Sequence, residues 1–221
     1  MTPNRDDPQF HLTQRQYLTG VDFFTWTRHF HVVRDLCARV SGDVLEVGTG
    51  DGVVKRCIQP FVRSYTVMDV NEKLQPDVHG DLLEHQAALV GQFDAIVCTE
   101  VLEHLPFDRM PLCLANLDAY LRPGGLLFLT LPHRKGHMLV VTPGQRLLKW
   151  RFPFGTTSLS EAYNRFVRRR IWIDPNHCWE IGDGHVTRAH ITAAIASHGL
   201  GTVDLVPLPY CDYWVLQKHA A

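Results

Sequence analysis

VLEVGTGDG, residues 44–52, runs an apolar stretch directly into glycines at 48, 50 and 52, with Glu46 set inside the run. Glycine loses more backbone entropy on folding than any other residue, so three at alternate positions mark a backbone that bends sharply and approaches something closely. The apolar run predicts a strand, and the glycines sit at its carboxyl end, where open parallel sheets bind ligands. A dinucleotide site would use Gly-x-Gly-x-x-Gly and place a third glycine at 53, where this chain has Val53. The spacing present is Glu-x-Gly-x-Gly-x-Gly.

Outward from this stretch, short apolar runs alternate with amphipathic ones. DVLEVG, SYTVMDV (64–70), FDAIVCTE (93–100) and GLLFLTLP (125–132) read as strands. Residues 51–60, DLLEHQAALV (81–90) and DRMPLCLANLDAYL (108–121) read as helices, the last ending before Pro123-Gly124-Gly125. Near-continuous apolar strands alternating with helices predict an α/β fold with a doubly wound, mainly parallel sheet. Thr187 to Gly199 predicts one more helix, and TVDLVPL and YCDYWVLQK predict two strands whose short link makes them antiparallel neighbours.

Composition narrows the classes. The 221 residues are 45% hydrophobic and carry a formal net charge of −1, which gives no global case for DNA or an acidic surface. Six cysteines lie scattered without a CxxC pair, a pattern of free thiols in a reducing compartment. MTPNRDDPQF has no signal-peptide character, and no apolar run is long enough to cross a bilayer. The expectation is a soluble cytoplasmic protein.

Glu46, Gly48, Gly50 and Gly52 resemble the first motif of the class I S-adenosylmethionine-dependent methyltransferases. Asp69 ends the second predicted strand 17 residues after Gly52, where nucleotide-binding α/β folds place an acid for ribose hydroxyls. Gly80-Asp81-Leu82 resembles the next motif, FDAIVCTEVLEHL the fourth strand with its short helix, and LRPGGLLFLTLP the strand after it. The resemblance covers about residues 43–132 and implies a seven-stranded Rossmann-like sheet with an antiparallel last strand. It also implies S-adenosyl-L-methionine as cofactor, held by Glu46, Gly48, Thr49, Gly50, Asp69, Val70, Asp81, Leu82, Thr99 and Glu100.

Methyl transfer from a sulfonium needs alignment above all, and a base where the acceptor is a hydroxyl. Three of the 13 histidines fall where that chemistry is expected: His104 after the fourth strand, His133 after the fifth, and His177 in NHCWEIG. The leading expectation assigns no metal. Glu100-x-x-Glu103-His104, with His177-Cys178-Trp179-Glu180 later, also resembles the metal site of small-RNA 3′-terminal 2′-O-methyltransferases.

Residues 133–172 hold nine Lys and Arg against one acid, Glu161, so a segment at +8 interrupts a remainder at −9. LLKWRFPF and FVRRRIW mix basic with aromatic and aliphatic residues. The segment is expected to cover an anionic or lipid-linked acceptor, or to make peripheral contact with an anionic membrane. The alternative is a solvated basic face that pairs with the acidic body. The expected organisation is an N-terminal helical cap (1–42), a cofactor-binding core (43–132), a basic insertion or substrate lid (133–186) and a closing helix and hairpin (187–221). The leading function is methylation, O-directed, of a small molecule or a glycan or lipid precursor. The alternatives are a metal-dependent RNA 2′-O-methyltransferase and a non-catalytic S-adenosylmethionine-binding protein.

Overall fold

The strand β1 (Asp43–Val47) lies at the centre of a seven-stranded sheet, with β2 (Ser64–Asp69) on one side and β4 (Phe93–Thr99) on the other, all three parallel. The computed structural model describes residues 11–144, 146–152 and 159–220. With β3 (Val78–His79), β5 (Leu121–Pro132), β8 (Leu200–Pro207) and β9 (Cys211–Lys218), the sheet order is β3-β2-β1-β4-β5-β9-β8. β9 runs antiparallel to both β5 and β8, as expected for the last strand.

Neighbouring residues of the central strands feed opposite faces of the sheet. Leu45, Ile96, Leu127 and Trp214 join one apolar cluster with the helices α4 (Met110–Tyr120) and α6 (Arg188–Ser197). Val44, Val97, Phe128 and Tyr213 join the other with α2 (Phe23–Arg39) and α3 (Val53–Ile58). A strand buried on both faces shows no polar alternation, which is why these runs read as continuous. Strand order reverses between β1 and β4, so the loops leaving these two strands diverge and open a crevice. The short helix α1 (Gln14–Thr19) is held by a capping box between Thr13 and Gln16.

Two local expectations change. The helix after the glycine bend begins at Val53, because residues 49–52 form a turn. Residues 81–90, read as a helix, form a turn with one 3-10 coil at Ala87–Leu89. Asp81 accepts the Leu83 N–H at 2.9 Å, Asn116 donates to the Leu82 carbonyl, and the Tyr120 hydroxyl accepts the Gln86 N–H. Side chains thus take up the backbone groups that helix bonds would have satisfied.

The basic segment contains a hairpin, β6 (Gly136–Val141) and β7 (Leu147–Phe152), which forms its own two-stranded sheet, and a short helix α5 (Leu159–Phe166). The return leg rejoins the body. The Cys178 N–H donates to Glu103 O, Ile181 bridges to His133, and Trp179 and Ile181 enter the core.

Candidate active site

A cleft of about 850 Å³ opens where β1, β2 and β4 end, walled on the far side by α1 and α2. The glycine bend forms its floor. Gly48 has φ +75°, and a Cβ there would lie 2.5 Å from Val101 Cγ2, so only glycine fits. Gly50, at φ +47°, faces the Tyr17 ring.

Asp69 organises this bend. Its two carboxylate oxygens accept the Thr49 N–H at 3.0 Å and the Asn71 N–H at 2.8 Å. Burial raises its carboxyl above the ordinary value, and these N–H bonds oppose the rise. Each oxygen keeps a second lone pair, the capacity a vicinal diol uses. Glu46 lies beneath, 3% exposed, with the Thr49 hydroxyl donating to it at 3.1 Å. Burial pushes its carboxyl up to about 8 against the bonds from Thr49 and Tyr65.

Val70, Asp81 and Leu82 border the cleft past β2 and β3, and Thr99 and Glu100 border it at the end of β4. Glu100 has φ +55°, a left-handed conformation uncommon outside glycine. Thr130 holds it there, accepting the Glu100 N–H at 3.1 Å and donating to its carboxylate at 2.8 Å. Backbone strain of this kind gathers at functional sites. All ten residues expected to hold the cofactor therefore line one cleft, together with His104.

The three histidines separate. His104, in the turn after β4, places Nδ1 2.9 Å from the Asn176 carbonyl, so Nδ1 carries the proton and Nε2 the lone pair. His177 stands against His104, ring centroids 5.0 Å apart, with Nδ1 2.9 Å from Glu180, and it is not among the cleft-lining residues. Burial alone would raise the Glu180 carboxyl, but bonds from His177, the Asp174 N–H and Arg134 hold it below its ordinary value. His133 also lies outside the lining. It is 2% exposed, stacked on His137 and 3.7 Å from Asp212, and burial pushes it down to about 4 despite that carboxylate. The ligand atoms of Glu103, His104 and His177 all lie within 4.8 Å of one another.

Arg28 of α2 was not legible from motifs. It lines the cleft, its Nε is buried without a hydrogen-bond partner, and Tyr210, Glu100 and Asp51 lie close enough to hold it charged against the cost of burial. His29, on the same helix, pairs with Asp51 of the glycine bend at 2.9 Å. The signal, in hindsight, is the polar pair Arg28-His29 inside an otherwise aromatic stretch. The cleft thus offers a diol acceptor at Asp69, a close-approach floor at Gly48 and Gly50, and a buried cation suited to a carboxylate. These features match the ribose and amino-acid ends of S-adenosylmethionine.

Known proteins resemble this chain in sequence and in fold. A family model described as a methyltransferase domain matches residues 25–200. The ubiquinone biosynthesis O-methyltransferase of Haemophilus ducreyi is 31% identical over 145 residues, 57% of this chain and 58% of that protein. The chain therefore spans little more than half of the curated relative it matches. The N-methyltransferase NodS of Bradyrhizobium japonicum, solved with S-adenosylhomocysteine, shares the fold at TM-score 0.57 and 17% identity, over 93% of this chain and 96% of that one. So does the Burkholderia thailandensis 1,6-didemethyltoxoflavin-N1-methyltransferase, at TM-score 0.58 and 15% identity, over 99% and 91%. With its family model, its relatives and its cleft in agreement, the chain belongs to the class I S-adenosylmethionine-dependent methyltransferases.

Proposed function

We propose that this chain methylates a hydroxyl of a small molecule, or of a glycan or lipid precursor. One observation carries the reading: His104 lines the same cleft as the donor cradle, with Nδ1 protonated and Nε2 the basic nitrogen. S-adenosylmethionine, when bound, supplies a methyl carbon on a sulfonium that leaves as a neutral thioether. His104 takes the acceptor's hydroxyl proton as the oxygen bonds to that carbon and the carbon–sulfur bond breaks. Arg28 would hold the donor's carboxylate and Asp69 its ribose, and Glu100 would shape the boundary between donor and acceptor. The O-directed choice is supported by the name of the Haemophilus ducreyi relative, while the Nodulation protein S of Azorhizobium caulinodans, 31% identical over 111 residues, stands on the side of nitrogen. His104→Gln is expected to lower kcat about 100-fold on a hydroxyl acceptor found in a labelled-methyl screen, with donor affinity unchanged. An unchanged kcat removes His104 from the chemistry.

A second reading, metal-dependent methylation of an RNA 2′-hydroxyl, is favoured by one cluster. Glu103 is fully buried, both its carboxylate oxygens lack partners, and it joins His104 and His177 as a candidate ligand set. In the first reading Glu103 is a neutral acid, since burial and then the field of Glu100 raise its carboxyl far above the ordinary range. In the second it is an ionised ligand. Manganese titration followed by electron paramagnetic resonance separates them. The first reading expects no bound ion and activity indifferent to chelator, whereas the second expects one bound ion and restored turnover on a short RNA.

A further inference from the structure

The hairpin β6–β7 carries an apolar face that the described chain covers only in part. Its register pairs Met138 with Trp150 and Val140 with Leu148, and side chains two apart on a strand share a face. These four residues therefore form one surface of the two-stranded sheet, and each is 39–47% exposed. The other surface meets the body only at the base of the hairpin, and Val141 and Leu147 near its tip are 72% and 48% exposed. His137 stacks on His133 with ring centroids 5.5 Å apart, Leu139 is half-buried, and the charge of Lys149 is felt at His31 of α2. The hairpin is thus anchored at its base and projects apolar side chains beyond it.

An isolated two-stranded sheet is marginal in water, and a wholly apolar outward face adds to the cost. Charge names the cover. Between residues 133 and 160 the sequence has five basic residues and no acid, and the body outside the insertion is strongly acidic. Farther along the same insertion, Tyr163, Phe166 and Val167 are 53–63% exposed at helical spacing. Arg168, Arg169 and Arg170 follow them directly. Trp172, 58% exposed, lies under the Arg134 guanidinium at 4.5 Å. Apolar and aromatic side chains rimmed by arginine and lysine are what the headgroup region of an anionic bilayer accommodates. Among the described residues no helix is long and apolar enough to cross a membrane, so the contact is with the surface.

We propose that the Met138–Val140–Leu148–Trp150 face, with the basic residues around it, docks this protein on an anionic lipid surface. The proposal does not depend on which acceptor is methylated. A second copy of the chain is the competing occupant, but it would bring its own basic insertion against this one.

The test is co-sedimentation of the full chain with vesicles of phosphatidylcholine alone and of phosphatidylcholine doped with phosphatidylglycerol, at low and high salt. Binding is expected only to the doped vesicles, weakening with salt. The double variants Leu148→Ser/Trp150→Ser and Arg168→Glu/Arg170→Glu should each bind about tenfold less or weaker still. Neither pair lies in the donor cleft, so unchanged S-adenosylhomocysteine binding reports that both variants fold. The proposal is overturned if wild-type protein stays in the supernatant with doped vesicles, or if both folded variants bind as wild type does. It is also overturned if sedimentation without lipid shows a dimer that Leu148→Ser/Trp150→Ser abolishes, since the face then belongs to a second copy.

Discussion

The glycine bend and the β6–β7 hairpin each follow a strand of the main sheet, and they are built in opposite ways. In the bend, Asp69, Thr49, Glu46 and Asn71 bond one another across 26 residues of sequence, nearly all of them buried. In the hairpin, large apolar side chains stand in the open and only the base rests on the body. The bend presents a closed, buried set of polar groups whose donors and acceptors are fixed in place. The hairpin closes on no such network, and its apolar side chains are open to an external surface. The two regions are expected to respond separately to mutation, and a failure of that separation would break the comparison.

The largest effect is expected at the bend. Gly48→Ala forces an L-residue to φ +75° and drives a methyl to 2.5 Å from Val101 Cγ2. The left-handed backbone alone costs about 1–2 kcal/mol. Thermal melts should fall by several degrees, and donor-dependent protection against melting should vanish. Asp69→Asn comes next. The amide oxygen still accepts one N–H of the bend, but the charge-assisted bonds to a diol are gone, so donor affinity should fall about 30-fold by calorimetry while the fold survives. Arg28→Met removes a buried cation that faces Glu100 and Asp51. It should lower kcat/KM about tenfold in steady-state kinetics, and a value equal to wild type would remove Arg28 from ligand recognition.

A smaller effect is in pH dependence. Glu46 titrates near 8 in the fold, above its ordinary 4.5. Between those values the folded chain holds a proton that the unfolded chain has released, so this group's contribution is fully present below the lower value and is lost as pH rises through the upper one. Glu46→Gln should flatten that slope and be the more stable protein near pH 8 by on the order of 2 kcal/mol in denaturant titrations. A slope unchanged by the substitution would show Glu46 ionised in the free protein.

The sheet and the donor cleft were largely legible because both rest on local rules. Apolar runs at strand length marked β1, β2, β4 and β5, and the Glu-x-Gly-x-Gly-x-Gly spacing marked the bend. Where long-range contacts decide, sequence fell short. Residues 81–90 have helical spacing, but Asn116 and Tyr120, more than 25 residues on, take their backbone groups. Arg28 reaches the cleft only because α2 folds across the strand ends, a placement no motif records. The mix of basic and apolar residues in the hairpin was legible, but not its register, which appears only when the two strands pair.

The most direct measurement is calorimetric titration with S-adenosylhomocysteine of the full chain and of a variant whose residues 137–151 are replaced by two glycines, a closure that the Gly136–Phe152 pairing permits. The account predicts one equivalent bound by each with micromolar affinity, the two within about twofold. No heat from the full chain, or binding lost with the hairpin, would contradict it.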